Sequence, residues 1–225
     1  MNKLDKLFRV FYSKGGHVER AEILLACNYL NNNGVVAIPT DTLYGVAARI
    51  DRPEALEKIY KIKGRDPAKP LAVCLAGFEQ LDQVADVSKH HRDVLKLLLP
   101  GPLTIVLNRS ASLSKDLNPG TQNVGIRIPD HNFSRAISDM LDCPLALTSA
   151  NKSGQPSPLR VEDFQDIWED LDAIFDAGPM TPNRLRNGST VIDMTEEKAY
   201  KILREGCGLN RTINVLNRIG YKRKR

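Results

Sequence analysis

Hydrophobic and polar residues alternate with two different spacings along this chain. Between residues 18 and 32 the apolar positions fall near one helical face, and the Asn-Asn-Asn-Gly run at 31–34 is a typical helix stop. Pro53 opens a second helical stretch, which ends at Gly64. Further helices are predicted at residues 79–86, 89–98, 132–141, 160–170 and 210–219. Strands are predicted at residues 35–38, 70–75, 103–108, 124–128, 144–148, 173–177, 189–193 and 199–203.

The order of these elements indicates the fold class. Helices and strands alternate over most of the chain, but the strands between residues 173 and 203 follow one another with only turns between them. A strictly parallel sheet needs a crossover between neighbouring strands, so a mixed sheet is favoured. The chain shows no internal repeat and no linker long enough to separate two domains. The sequence therefore predicts an α/β fold, a single domain with a twisted mixed β-sheet and helices on its faces.

Composition and charge narrow the class of protein further. With 225 residues, 42% hydrophobic and 26% charged, the chain matches an ordinary folded domain rather than a disordered or fibrous one. No stretch approaches 18 uncharged apolar residues, which excludes a membrane-spanning helix. The net charge of +5 comes from the basic residues of 218–225, because the rest of the chain has 27 basic and 27 acidic residues. This tail is interpreted as a solvated, frayed end, with weak, salt-sensitive attraction to RNA as the alternative.

The cysteines and the N-terminus bear on the compartment. Four widely spaced cysteines without a Cys-x-x-Cys pair are typical of reduced, packed thiols in an intracellular protein. Residues 1–16 mix basic and apolar residues with a single acid, Asp5, and are interpreted as a flexible or weakly targeting segment. A cytoplasmic location is expected, with a mitochondrial one as the alternative.

Polar and basic residues gather at the ends of the predicted strands. The usual nucleotide fingerprints, a Gly-x-x-x-x-Gly-Lys-Ser/Thr loop or a Gly-x-Gly-x-x-Gly turn, are missing. A polyphosphate ligand instead needs cations to neutralise its charge, with hydroxyls, amides or backbone N–H groups to fix its geometry. Residues of these types stand at Thr40, Thr42, Tyr44, Lys63, Arg65, Lys69, 123–127, 149–151, 188–190 and Arg204.

Several of these residues also have a simpler interpretation. Lys63 and Arg65 are typical cations of a helix C-terminus, and Ser149 with Asn151 is compatible with a plain turn. Arg127 differs, because it stands between two isoleucines in an otherwise strand-like run. A charge at that position is expected to face a polar cavity or a partner.

Histidine and metal chemistry are not favoured. His17, His90, His91 and His131 lie in predicted polar surface or loop segments, without a Ser or Cys nucleophile pattern. His90 and His91 are interpreted as solvated. Carboxylates near the motifs are few, Asp41 being the main one, so we expect no intrinsic metal site and no tightly bound cofactor, with Mg²⁺ carried only by a nucleotide.

Eight short motifs stand in a fixed order along the chain. They are Pro-Thr-Asp-Thr-Leu-Tyr-Gly (39–45), Ile-Tyr-Lys-Ile-Lys-Gly-Arg (59–65), Lys-Pro-Leu (69–71), Pro-Gly-Pro-Leu-Thr (100–104), Val-Gly-Ile-Arg-Ile-Pro (124–129), Thr-Ser-Ala-Asn-Lys-Ser-Gly (148–154), Gly-Ser-Thr-Val-Ile-Asp (188–193) and Leu-Arg-Glu-Gly (203–206). Together they resemble the YrdC-like threonylcarbamoyl-AMP synthase family, in its short form, over residues 18–207. The resemblance implies a concave basic cavity, a catalytic domain over residues 17–208, and a C-terminal helix with a basic tail over residues 209–225.

The resemblance also implies a reaction. L-threonine, bicarbonate and ATP would give threonylcarbamoyl-AMP and pyrophosphate, which feeds the t6A modification of tRNA. Lys63 and Arg65 are then the expected catalytic residues. The expected threonine contacts are Thr40, Arg127 and Ser189. The expected nucleotide contacts are Lys63, Arg65, Asn123, Ser149, Asn151, Ser157 and Arg204.

Two other functions remain open from the sequence. One is a noncatalytic module of the same fold that binds double-stranded RNA or tRNA through its basic surface. The other is a relative that keeps the fold but uses another substrate. The intact pairs Lys63/Arg65 and Ser149/Asn151 favour catalysis over both.

A downstream threonylcarbamoyl transferase complex is the expected protein partner.

Overall fold

A computed structural model describes residues 3–13, 16–64, 70–180 and 186–224. Within these residues five α-helices, α1 to α5, span Arg20–Asn31, Pro53–Lys63, Lys89–Leu98, Asn132–Met140 and Leu209–Arg218. Strands β1 to β11 span Leu7–Arg9, Val36–Ile38, Gly45–Arg49, Ala72–Cys74, Leu103–Asn108, Asn123–Arg127, Leu145–Ser149, Ala173–Asp176, Thr190–Asp193, Ala199–Arg204 and Lys222–Arg223. Short 3₁₀ segments lie at Lys3–Lys6, Phe78–Gln83 and Val161–Asp170.

The strands form one sheet of mixed direction. Their order is β1-β8-β2-β3-β7-β4-β6-β5-β9-β10-β11. Five neighbouring pairs are parallel (β1/β8, β8/β2, β4/β6, β5/β9 and β10/β11), and the other five are antiparallel. The single-domain α/β fold with a mixed sheet is therefore confirmed.

Helices cover both faces of this sheet. Val36 and Ile38 of β2 face one hydrophobic cluster, to which α1 and α4 contribute, whereas Val35 and Ala37 face a second cluster built with α2, α3 and α5. Successive strand residues point to opposite faces, so β2 is buried on both sides and its sequence is continuously apolar. None of the helices in the described ranges has the length and apolar character needed to cross a bilayer.

Helix α2 positions Lys63, one of the candidate site residues. Pro53 stands at its first turn, where the absence of an N–H has no cost. Gly64 ends the helix at φ 51°, a left-handed conformation that glycine adopts without strain. Ala55, Leu56 and Ile59 bury one face, which fixes the rotation of the helix and directs Lys63, its last residue, inward.

Both ends of the chain differ from the sequence prediction. Residues 1–16 are not flexible throughout, because Leu7–Arg9 pairs in parallel with β8 and the Phe8 ring lies 5.7 Å from that of Phe175. The basic tail is not frayed at Lys222–Arg223, which pairs with β10 after the buried Tyr221. Strand β1 has three residues and strand β11 has two, too few for an alternation of apolar and polar residues to reveal them.

Three internal elements also differ from the prediction. Strand β3 was not predicted, and the helices expected at 79–86 and 160–170 are 3₁₀ segments.

His91 is buried rather than solvated, because its helix, α3, turns that side chain toward the core. The described cysteines carry free thiols, and Cys207 is the exposed one, as a chain of mostly packed thiols predicts.

A buried asparagine fixes the segment that leads into β4. The side chain of Asn118 accepts a hydrogen bond from the Leu71 N–H at 2.6 Å and donates one to the Leu71 carbonyl at 2.9 Å. The Tyr60 hydroxyl donates to the same amide oxygen at 3.0 Å, which ties this segment to α2. Leu71 is the last residue of the Lys-Pro-Leu motif and lines the cavity described below, so Asn118 fixes one wall of that site.

We expect Asn118→Ala to destabilise the protein. The substitution leaves the buried N–H and carbonyl of Leu71 without partners, at a cost of about 1–3 kcal/mol for each unpaired group. The free energy of unfolding in urea measures the loss. Asn108→Ala, which removes one long hydrogen bond at an exposed site, is the matched control, and an equal loss in both variants would contradict this assignment.

Candidate active site

One cavity of about 860 Å³ lies over one face of the sheet, where it is lined by alternate residues of β5, β6 and β9. Many of its lining side chains come from the motifs at residues 39–45, 124–129, 148–154 and 188–193. Within the described ranges, nine predicted site residues line it: Thr40, Lys63, Asn123, Arg127, Ser149, Asn151, Ser157, Ser189 and Arg204. Arg65 lies outside the described residues. The structure thus brings together side chains from motifs spread over more than 160 residues of sequence.

Lys63 lies in the wall of this cavity rather than on the surface. Its ammonium donates to the Ser149 carbonyl at 2.5 Å and makes a short hydrogen bond to the Asn151 carbonyl. The Ser149 hydroxyl and the Asn151 amide oxygen lie at 3.4 and 3.3 Å. A buried charge requires such oxygen partners. Lys63 therefore holds the loop after β7 against the end of α2, and a plain helix C-terminal cation does not describe it.

The loop after β7 is itself internally bonded. The Asn151 side-chain amide donates to the carbonyls of Lys152 and Gln155, at 3.0 and 2.8 Å. The Ser153 N–H donates to the Lys63 carbonyl at 3.1 Å, which joins the loop to α2 a second time. The hydroxyls and small residues of this loop face the cavity in a fixed conformation, as a phosphate-binding loop requires.

Arg127 lines the cavity, which confirms that its charge faces a polar cavity. One of its terminal nitrogens, Nη2, forms a buried ion pair with Asp41 and donates to the Thr42 hydroxyl at 2.8 Å. Its Nε is buried and has no hydrogen-bond partner among the described residues. Guanidinium groups pair with carboxylates through two donors at once. Arg127 thus retains donor capacity for an anionic ligand after Asp41 is satisfied.

Thr40 forms the turn that carries Asp41. Its hydroxyl donates to the Leu43 carbonyl at 2.7 Å and accepts from the N–H groups of Thr42 and Leu43, both at 3.2 Å. A side chain that bonds its own turn in this way fixes the backbone. Thr40 therefore positions Asp41, and with it Arg127, besides lining the cavity.

Arg204 and Ser189 form the opposite wall. Arg204 donates to the Ser189 carbonyl from Nη2 at 2.9 Å and from Nε at 3.2 Å, and Nη2 also lies 3.2 Å from the Ser189 hydroxyl. Ser189, the residue before β9, thus holds the Arg204 guanidinium beside the cavity. Gly188 makes this approach feasible, since a Cβ there would lie 3.2 Å from Arg204 Nη2.

Comparison with known proteins identifies the family. The Sua5/YciO/YrdC family model, which carries the description "Telomere recombination", matches residues 28–206, well over half of the chain. This chain belongs to the Sua5/YciO/YrdC family. The family predicted from the eight motifs is therefore confirmed.

Three relatives show how similar this member is to others. The threonylcarbamoyl-AMP synthase of Bos taurus is 46% identical over 215 residues, 92% of this chain and 75% of the bovine one. The Homo sapiens protein of the same name is 48% identical over 195 residues, 83% of this chain and 68% of the human one. The structure of P. abyssi Sua5 complexed with L-threonine is 30% identical with a TM-score of 0.84. It covers 97% of this chain, which spans only 62% of the Pyrococcus chain.

Arg186 is a cavity residue that the motifs did not reveal. It donates to the Ser157 carbonyl at 2.8 Å and pairs with Asp163 at 3.0 Å. Although burial opposes it, the Arg186 guanidinium holds the pKa of Asp163 below its ordinary value. Its position two residues before Gly188 was the available signal, since that glycine opens a family motif.

The cavity lining has an excess of positive charge. Among the described residues that line it, four are cations (Lys63, Arg127, Arg186 and Arg204) and two are acids (Asp193 and Glu205). The described part of the chain also holds no cluster of three or more side chains suited to a metal ion. Asp41 and Asp163, which do not line the cavity, pair with Arg127 and Arg186. The cavity therefore favours anionic ligands through the positive side chains that line it rather than through a large net charge.

A second cavity of about 430 Å³ lies behind the turn at residues 40–42. His131 lines it, and its Nε2 shares a hydrogen bond of 3.1 Å with the Tyr12 hydroxyl. Burial lowers the pKa of His131 from its ordinary 6.5 to about 4. The imidazole is therefore neutral at pH 7, in the loop that leads into α4.

We expect His131 to make stability depend on pH between about 6.5 and 4. Because the folded-state pKa is depressed, the unfolded chain binds the proton first, so stability is complete above 6.5 and falls as pH approaches 4. The loss is at most about 3 kcal/mol, since one pKa unit equals about 1.4 kcal/mol.

Urea unfolding at pH 7 and pH 4.5 measures this effect. His131→Gln should lose less stability between the two pH values than the wild type, because its side chain does not titrate. His90→Gln, at an exposed position of α3, is the control. A His131→Gln variant with the same pH dependence as the wild type would show that this histidine does not carry the effect.

Proposed function

We propose that this protein is a threonylcarbamoyl-AMP synthase, which converts L-threonine, bicarbonate and ATP to L-threonylcarbamoyladenylate and pyrophosphate. The observation that carries the proposal is the single cavity in which cations and hydroxyls from distant motifs meet. The names of the bovine and human relatives support this enzyme over a noncatalytic RNA-binding module. The P. abyssi relative was solved with L-threonine bound, which supports an amino-acid substrate.

The chemistry suits a site of this composition. The threonine amine adds to CO₂ derived from bicarbonate and loses a proton, which gives a carbamate. A carbamate oxygen then attacks the α-phosphorus of ATP, the bond from that phosphorus to the oxygen bridging to the β-phosphorus breaks, and pyrophosphate leaves. Both reactants are anions, so the main task of the protein is to reduce their repulsion and to hold them in line. No side-chain nucleophile is needed.

Each cavity wall has a part in this proposal. Arg127 binds the threonine carboxylate through the donors that Asp41 leaves over. The β7 loop held by Lys63, together with Arg204 on the facing wall, binds the phosphates. Arg186 adds a further cation beside Ser157. Mg²⁺ would arrive with ATP, bound by its phosphates.

Lys63→Ala and Arg65→Ala should each lower threonine- and bicarbonate-dependent pyrophosphate release by about 100-fold, the typical cost of removing one charge-stabilising group. Lys61→Ala is the matched control, since Lys61 lies on the same helix but is exposed and pairs with Glu57. Unchanged release in the Lys63 and Arg65 variants would refute the catalytic assignment. A wild type without release that binds duplex RNA with a steep salt dependence would favour the RNA-binding module.

Arg127→Lys should raise the KM for threonine by about 10- to 100-fold, because a lysine cannot pair with a carboxylate through two donors. The KM for ATP should change little. Lysine keeps a positive charge beside Asp41, so the fold is retained. Arg49→Lys, which alters a pair with Asp51 outside the cavity lining, is the control. An equal rise in both KM values would contradict a threonine-specific role.

The product must be used by a second activity. It is a mixed anhydride of a carbamic and a phosphoric acid, and transfer of its threonylcarbamoyl group to tRNA requires a separate transferase. We propose that such a transferase is the partner, and that the location is cytoplasmic or mitochondrial.

A further inference from the structure

The Pro-Gly-Pro-Leu-Thr motif at residues 100–104 has no role in the function proposed above. Its last residue, Thr104, is buried and lines the cavity. Thr104 lies on β5, between β6 and β9 in the sheet. The β5/β6 register pairs Ile105 with Ile126, so Thr104 and Arg127 are the next residues along their two strands. The β5/β9 register pairs Leu103 with Thr190, which places Ser189 beside the start of β5.

A row of polar side chains therefore crosses the cavity floor. It runs from Arg127 through Thr104 to Ser189 and then to Arg204. The Thr104 and Ser189 hydroxyl oxygens are 2.7 Å apart, and Arg204 Nη2 donates to the Ser189 oxygen at 3.2 Å. Two linked hydroxyls thus lie between the two cations, and one of them is bonded to Arg204.

Hydrogen-bond capacity decides what Ser189 can do in this row. A serine hydroxyl has one hydrogen and two acceptor lone pairs. Arg204 can only donate, so it occupies one lone pair of Ser189. When Thr104 donates, the second lone pair is also occupied, and the Ser189 hydrogen remains for a ligand in the cavity. Ser189 is then a donor, which is what an anionic oxygen requires.

The Thr104 side chain is held in an orientation that lets its hydroxyl donate to Ser189. Gly125 lies on the neighbouring strand, and a Cβ built there would lie 3.2 Å from the Thr104 methyl group. The methyl therefore lies beside the glycine while the hydroxyl lies beside Ser189. A β-branched side chain is stiff at χ1, so this orientation is retained.

We propose that Thr104 is a positioning residue, which fixes the Ser189 hydroxyl as a hydrogen-bond donor to the threonine carboxylate. The carboxylate would lie over Thr104, with the Arg127 guanidinium on one side and the Ser189 hydroxyl on the other. This inference rests on the proposed function, since it names how that site recognises its amino acid.

Kinetics of pyrophosphate release test the inference. Thr104→Val keeps the shape and removes the hydroxyl, and the KM for threonine should rise about 10-fold, as expected for a lost hydrogen bond to a charged group. The KM for ATP and kcat should stay within about twofold. Thr104→Ser should restore the wild-type KM, because it keeps the hydroxyl. If the valine variant does not fold, Thr104→Ala replaces it, and the same rise in the KM for threonine is expected.

Two further variants separate positioning from packing. Thr190→Val is the matched control, because the Thr190 hydroxyl is one residue from Ser189, buried and without a partner among the described residues. It should behave as the wild type. In a Ser189→Ala background, Thr104→Val should add nothing, since Thr104 acts through the missing hydroxyl.

Three results would overturn the inference: a threonine KM unchanged by Thr104→Val, a serine variant as impaired as the valine one, or the full effect of Thr104→Val persisting without Ser189. In each case the wild type still releases pyrophosphate with threonine, so the proposed function stands. A wild type without threonine-dependent release would refute the proposed function and this inference together.

Discussion

The ammonium group of Lys63 is buried at the end of α2, and the site is arranged around the oxygens that satisfy it. An ion removed from water is tolerated only where polar groups replace its hydration. Here the replacement comes from the carbonyls of Ser149 and Asn151, two residues at the end of β7. One buried charge therefore fixes the distance between a helix on one face of the sheet and the loop that follows a central strand. The amide and hydroxyls of that loop face the cavity as a consequence.

Arg127 is a second buried cation of the cavity, and its surroundings satisfy it only in part. Arg127 is buried beside Asp41, but only one of its terminal nitrogens is used for that pair and for the neighbouring threonine hydroxyl. The cation is thus held in place without being fully satisfied, since its Nε has no partner among the described residues. The Lys63 ammonium holds the cavity wall together, whereas Arg127 keeps N–H donors for a ligand. A ligand carrying a carboxylate can complete the second kind of site.

Much of this arrangement was predictable from the sequence. The strands between residues 70 and 204 follow from periodicity, and the polar residues near the ends of those strands predicted that the motifs meet in one site. Strand β3 was not predicted, because its sequence, Gly-Val-Ala-Ala-Arg, is weakly β-forming and becomes a strand only between β2 and β7. The contacts of Lys63 and Thr104 were also beyond reach, because hydrogen bonds between residues about 85 positions apart depend on sheet register rather than on local pattern.

The most direct test of this account is a crystal structure with L-threonine and a non-hydrolysable ATP analogue bound together. The account predicts that both ligands occupy the 860 Å³ cavity, with the carboxylate within hydrogen-bonding distance of Arg127 and the phosphates beside the β7 loop and Arg204. Threonine bound in the smaller cavity behind residues 40–42, or phosphates bound outside the larger one, would contradict it.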